Sequence, residues 1–340
     1  MKINLISDTV TTPTKGMLAA MMSAKVGDDV FKEDATVNAL EEKTAALFGM
    51  EAALFFPSGT MANQTAIKVH TQPGEQLICD HYAHIFNYEG GGVSFNSGVS
   101  CKLIAGHRGM ITAKQVTAAI NPRDFYHSPL TTLVSLENTT NKGGGAIWDF
   151  QEMKAIKEVC TAHGLKFHLD GARLWNALAV TGEDPKLYGH LFDSISVCLS
   201  KGLGCPVGSV LLGSKDFIAK ALRVRKVFGG GMRQAGFLAA AGIYALDHHR
   251  ERLKEDHKKA KEIEAILSEK DFIASVSPVD TNIIIFELNE SVLDTEAFMH
   301  KMDENNIRLI SMGSGKLRLV THLNYTDEMH SHLLSILNRF

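Results

Sequence analysis

The sequence predicts an α/β protein whose large domain holds a mostly parallel sheet, followed by a smaller α+β domain. Three observations carry that expectation. Between about residues 50 and 250, short apolar runs alternate with helical stretches, the strand–loop–helix order by which parallel strands are connected. Polar, glycine-containing segments follow directly on several of those runs, where α/β sheets gather their ligands. The last ninety residues then change character, opening with a highly charged helical stretch and continuing as mixed strands and helices. The boundaries expected are 15–250 for the large domain, and 1–14 with 251–340 for the small one. A chain of 340 residues is long enough to bury a core in each.

Taken in order, Ser7-Asp-Thr-Val-Thr-Thr-Pro13 is too polar for a core strand. From 36 to 48 the apolar residues Val37, Leu40, Leu47 and Phe48 share one helical face, and Gly49 suits the position after a helix end. Ala53-Leu-Phe-Phe56 reads as a strand, broken by Pro57-Ser-Gly-Thr60, with a helix of alanines and polar residues to about 69. Leu77-Ile-Cys79 is a second strand, ending in Asp80-His-Tyr-Ala-His84. Leu133-Val-Ser-Leu136 runs into Glu137-Asn-Thr-Thr-Asn-Lys-Gly143, and a helix is expected over 149–163 with Gly164 closing it. Lys166-Phe-His-Leu169 is a strand ending at Asp170-Gly-Ala-Arg173. Residues 194–200 form a buried strand, and Ser209-Val-Leu-Leu212 another. Two helical stretches follow, separated by Phe228-Gly-Gly-Gly-Met-Arg233. In the last part a charged helix covers 251–270, with strands near 283–286, 307 and 317, a helix near 293–304 and a final helix.

Composition narrows the function. A net charge of −3 shows no basic balance favouring nucleic acid. No stretch approaches the length needed to cross a bilayer, and the amino terminus lacks the apolar core of a signal peptide. The five cysteines are odd in number and scattered, without C-x-x-C spacing, so neither a disulfide framework nor a zinc site is indicated and a cytoplasmic location is expected. Neither G-x-G-x-x-G opening a helix nor G-x-x-x-x-G-K-[ST] occurs, and there is no H-E-x-x-H. A catalytic metal is therefore not expected.

The chemistry centres on Lys201, which lies between Ser200 and Gly202 at the end of a buried strand. Desolvation favours the neutral amine, the form that attacks a carbonyl to give a Schiff base. A lysine snorkelling to water is the plainer reading of that residue alone. Asp170, thirty-one residues earlier, also ends a strand, and a carboxylate there can keep a heterocyclic nitrogen protonated. Ser58, Gly59 and Thr60 join a strand to a helix amino terminus, where free N–H groups and the helix dipole suit an anion. His81, His84 and His127 are candidate bases or ring-stacking groups, with His84 best placed. Arg233, after three glycines, suits a phosphate, and Arg318, a charge inside an alternating strand, either faces solvent or binds a carboxylate.

These segments together resemble the low-specificity L-threonine aldolases. The resemblance rests on Ser7-Asp-Thr-Val-Thr11, Val26-Gly-Asp-Asp-Val30, Pro57-Ser-Gly-Thr60, Ser135-Leu-Glu-Asn-Thr139, His168-Leu-Asp-Gly-Ala-Arg173, Cys198-Leu-Ser-Lys-Gly-Leu-Gly204, Gly229-Gly-Gly-Met-Arg-Gln234 and Leu317-Arg-Leu-Val-Thr-His322. It implies the aminotransferase-like fold (fold type I) and a pyridoxal 5'-phosphate cofactor bound to Lys201 as a Schiff base. Asp170 would partner the pyridine nitrogen, His84 would stack on the ring, and Ser58, Gly59, Thr60 and Arg233 would hold the phosphate. Arg173 would border the cofactor and, with Ser7 and Arg318, grip the substrate carboxylate. His84 or His127 would take the β-hydroxyl proton, and Lys226 would contribute from a neighbouring subunit of a homotetramer. The implied reaction is aldol cleavage of threonine or allo-threonine to glycine and acetaldehyde. An aminotransferase or β-eliminating lyase would share the cofactor residues.

Overall fold

The structure is a computed structural model that describes residues 1–313 and 315–340. In chain order the strands are β1 (Ile3–Asn4), β2 (Ala52–Phe56), β3 (Gln76–Asp80), β4 (Ser100–Ile104), β5 (Thr131–Glu137), β6 (Lys166–Gly171), β7 (Ser194–Cys198) and β8 (Ser209–Gly213). They continue with β9 (Ile273–Val276), β10 (Ile283–Leu288), β11 (Ile307–Arg308), β12 (Ile310–Gly313) and β13 (Lys316–Val320). A seven-stranded sheet runs in the order β2-β8-β7-β6-β5-β3-β4.

Every residue of β3, β7 and β8 is buried; β3 and β8 accordingly carry apolar runs, whereas in β7 the buried Ser194 and Ser196 alternate with Ile195 and Val197. Edge strand β4, Ser-Cys-Lys-Leu-Ile, is largely exposed and carries no such run, so the sequence does not announce it. The pairs β3–β4, β3–β5, β5–β6 and β6–β7 are parallel, as expected. Strand β8 runs antiparallel to both β7 and β2. The reason is local. Only residues 199–208 join β7 to β8, too few for the crossover a parallel pair needs.

Because β8 reverses direction and β2 reverses it again, β2 points the same way as β7. The carboxyl ends of β2, β3, β5, β6 and β7 therefore lie along one edge of the sheet. Helices cover its faces, and the main core joins residues such as Phe48, Phe55, Val134, Phe167, Trp175 and Val197.

A second core forms around the antiparallel sheet β12-β13-β10-β9 and the helices Leu253–Ser268, Thr295–Glu304 and Asp327–Leu337. Ile3 and Leu5 belong to this core, β1 pairs in parallel with β11, and Val320 N donates to Leu5 O at 2.9 Å. The amino-terminal segment is thus held in the carboxy-terminal layer, which brings Ser7 and Asp8 to the edge where the large sheet ends. None of the described helices is long and apolar enough to cross a membrane.

Candidate active site

The turn after β7 holds Lys201 in place by its backbone. Leu199 N donates to Gly208 O at 2.9 Å, Cys205 N to Leu199 O at 3.1 Å and Gly204 N to Lys201 O at 2.8 Å. Gly204 has a φ of +78°, a conformation that favours glycine. The Lys201 side chain is half-buried, and its Nζ lies 3.5 Å from Cys198 Sγ.

On the adjacent strand β6, Asp170 is buried, and its two carboxylate oxygens accept from Asn63 Nδ2 at 2.9 Å and Ala172 N at 3.0 Å. Asn63, in the helix Gly59–His70, is itself fixed, because its Oδ1 accepts from His168 Nε2 at 3.2 Å and from the Ser196 hydroxyl. Burial pushes the His168 imidazole down to about 4, so it is neutral at physiological pH.

Lys201 and Asp170 line one cleft of about 290 Å³ with Ser58, Gly59, Thr60, Asn63, His84 and Glu89. Ser58 caps the helix Gly59–His70, its hydroxyl accepting from Met61 N at 3.2 Å. A Cβ at residue 59 would lie 2.7 Å from Cys198 Sγ, so only glycine lets the backbone sit this close to the floor of the cleft. The half-buried His84 follows β3. Its backbone N donates to Glu137 Oε2 at 2.8 Å, and its Nδ1 lies 3.1 Å from Glu89 Oε1. Burial works against the imidazolium, but the Glu89 contact and the carboxylates of Asp170 and Glu137 outweigh it and raise the His84 pKa above its ordinary value. Glu137, buried at the end of β5, is pushed up to about 7 by burial and by Asp170.

The two arginines expected to grip a carboxylate differ. Arg173 is closed on Asp8, with Nε to Oδ2 at 2.8 Å and Nη2 to Oδ1 at 2.7 Å. Arg318, on β13, donates from Nη1 to Asn141 Oδ1 at 3.0 Å and from Nη2 to Ile6 O at 3.1 Å, while its buried Nε has no partner among the described residues. Burial and then the nearby Arg173 charge lower the Arg318 pKa. Among the described residues Arg318 makes no ion pair, so of the two guanidiniums it is the one without a carboxylate in contact. The Ser7 hydroxyl is occupied locally, accepting from Thr9 N at 3.2 Å.

Of the expected site residues, Ser7, Arg173 and Arg318 lie outside the lining of this cleft, the two arginines being held by Asp8, Asn141 and Ile6, and three more are placed elsewhere within one copy of the chain. His127 is exposed and tilted against the Tyr126 ring, 4.0 Å between centroids. It precedes β5, so it lies at the sheet edge opposite Asp170. Arg233 is half-exposed and paired with Asp28 at 2.8 Å. Lys226 is exposed in the last turn of the helix Lys215–Val227. His81, the remaining histidine candidate, turns its Nδ1 to Asp80 and Ile104 O instead, 3.3 Å from each.

Five residues that organise the cleft were not singled out in the sequence: Asp8, Asn63, Glu89, Glu137 and Asn141. For Asn63 a signal was present. Asn63, Gln64 and Thr65 are three polar residues in succession in a helix that packs on the sheet, and buried polar side chains there require dedicated partners.

The sequence matches the beta-eliminating lyase family over residues 4–291. It is 41% identical over 338 residues to low-specificity L-threonine aldolase 1 of Arabidopsis thaliana, covering 98% of this chain and 94% of that one. It is 42% identical over 327 residues to the low specificity L-threonine aldolase of Escherichia coli strain K12, covering 96% and 95%. Among solved structures, the threonine aldolase of Leishmania major superposes with a TM-score of 0.85 at 21% identity, covering 99% of each chain. That likeness carries the fold, and the two nearly full-length relatives carry the family: the chain belongs to the beta-eliminating lyase family, among the low-specificity L-threonine aldolases.

Proposed function

We propose that the chain binds pyridoxal 5'-phosphate in this cleft and cleaves L-threonine and L-allo-threonine to glycine and acetaldehyde. The observation that carries the reading is the convergence of Lys201 and Asp170, from neighbouring strand ends, on one cleft with a helix amino terminus. The residues present fit such a cofactor: an amine for its aldehyde, a buried carboxylate for its ring nitrogen, and a glycine-opened helix start for its phosphate. When bound, pyridoxal phosphate supplies an aldehyde that condenses with amines and a ring that accepts the electron pair released at the α-carbon.

The chain's own groups do the rest. Asp170, held by Asn63 and Ala172, keeps a proton on the ring nitrogen. Arg318 receives the substrate carboxylate and, with Asn141, orients the amino acid so that the bond to its β-carbon is the one aligned for cleavage. Arg173 and Ser7 border this clamp. His84 covers the cleft and takes the β-hydroxyl proton as the carbon–carbon bond breaks.

His127, Lys226 and Arg233 would act only from a neighbouring copy in a homotetramer. Their surroundings support this, since Phe125, Tyr126 and Val227 are exposed apolar residues on the same segments. Mixing a Lys201→Ala chain with an Arg233→Ala chain should then restore activity that neither has alone.

The five free cysteines accord with a cytoplasmic location. A β-eliminating lyase is the second reading, favoured by the family match itself. An assay of acetaldehyde from L-threonine and of pyruvate from L-cysteine separates the two. Acetaldehyde, lost in Lys201→Ala, supports the proposal, whereas pyruvate alone overturns it.

A further inference from the structure

We propose that Glu89 is a positioning residue that fixes the tautomer and orientation of His84 and ties it to the Asp170 carboxylate through Asn63. The inference deepens the proposed role of His84 and rests on it.

Glu89 is buried, and its neighbours are donors. Oε1 accepts from Asn63 Nδ2 at 3.0 Å, Oε2 accepts from Gln64 Nε2 at 2.6 Å, and the His84 Nδ1 lies 3.1 Å from Oε1. Both amides are oriented by their other ends. Asn63 Oδ1 accepts from His168 and Ser196, and Gln64 Oε1 accepts from Asn96 Nδ2 at 3.3 Å. A carboxylate surrounded in this way only accepts, so Nδ1 of His84 must carry a proton. In the neutral ring, the lone pair is then on Nε2. That is the tautomer a base needs, and the dyad assigns it without any group of the substrate.

The same Asn63 amide nitrogen donates to Asp170 Oδ2 at 2.9 Å and to Glu89, so one side chain spaces the ring-nitrogen partner from the imidazole anchor. Among the described residues, the charged and titratable groups facing His84 are Glu89, Asp170 from β6, Glu137 from β5, Tyr88 with its ring 5.6 Å away, and Lys201 across the cleft. Carboxylates predominate, and Glu89 is the one in direct contact with the ring.

The test is Glu89→Gln in the holoenzyme. The visible cofactor band should persist, kcat/KM for L-threonine should fall roughly tenfold or more, and the acidic limb of its pH profile should move to lower pH. In a His84→Asn background, Glu89→Gln should add less than about twofold, because residues acting as a unit are not additive. An unmoved limb with the band intact would make Glu89 merely structural and overturn the inference.

Ring 15N shifts of His84, identified by their loss in His84→Asn, read the dyad without any turnover. A protonated Nδ1 supports the inference, and an unprotonated Nδ1 at neutral pH overturns it even if Glu89→Gln does not fold. A wild-type protein with no cofactor band and no acetaldehyde would instead sink the reading of the reaction and leave this measurement standing.

Discussion

Arg173 and Asp8 close on each other by two parallel hydrogen bonds, joining the end of the large sheet to the amino-terminal segment held in the smaller layer. Asn282 Nδ2 adds a third donor to Asp8 at 3.3 Å. The pair is buried on both sides, with side-chain exposures of 6% and 0%. Arg173 is therefore paired with a carboxylate, whereas Arg318 donates to an amide and a backbone carbonyl.

Replacing each arginine by alanine should consequently give opposite signatures. Arg318→Ala should raise KM for the amino acid about tenfold or more while costing clearly less stability than Arg173→Ala, because it removes hydrogen bonds to an amide and a carbonyl but strands no carboxylate. Arg173→Ala leaves Asp8 buried without its cation and should destabilise the protein by about 3–5 kcal/mol. Steady-state kinetics and urea unfolding of the two variants check this. A stability loss in Arg318→Ala as large as that in Arg173→Ala would refute the distinction.

Acid stability should carry the Asp8 signature. Burial alone would raise its pKa, but the Arg173 guanidinium overrides that, and the carboxyl is lowered from 3.8 to about 2. A carboxylate with a depressed folded-state pKa contributes stability that is fully present above about pH 4 and is lost as pH falls toward 2. The size is about 2 kcal/mol, by the usual conversion of a pKa shift. Asp8→Asn should remove this part of the dependence. Unfolding free energies of the two proteins, compared from pH 6 to 3, should converge as pH falls; parallel curves would be the contrary result.

How much of this was legible beforehand follows from where each residue sits. Lys201, Asp170 and Gly59 stand at or just past the carboxyl ends of largely buried strands, so their chemistry is visible in sequence. Glu89 was not, because nothing in its immediate neighbours distinguishes a carboxylate facing a cleft from one facing water; Glu137 ends β5 level with Asp170 on β6 and carried the same signal. His127 needs more than one chain to be read. It precedes its strand, so strand direction places it on the far edge within one copy, and the role proposed for it requires a neighbouring one. The antiparallel setting of β8 was also missed, although the brevity of residues 199–208 contained it.

Gly59 offers a packing test of the phosphate end of the cleft. Gly59→Ala should weaken cofactor affinity by about tenfold or more, because its methyl meets Cys198 Sγ and closes the backbone approach. Adding Cys198→Ala removes the sulfur and should recover part of the loss. Equilibrium binding followed by the visible band measures both. An undiminished affinity in Gly59→Ala would remove the helix start from the cofactor site.

The most direct measurement is borohydride reduction of the cofactor-loaded protein, followed by peptide mass analysis. The account predicts that the reduced adduct is carried on Lys201, with the visible band lost on reduction. An adduct on another lysine, or none, would contradict it.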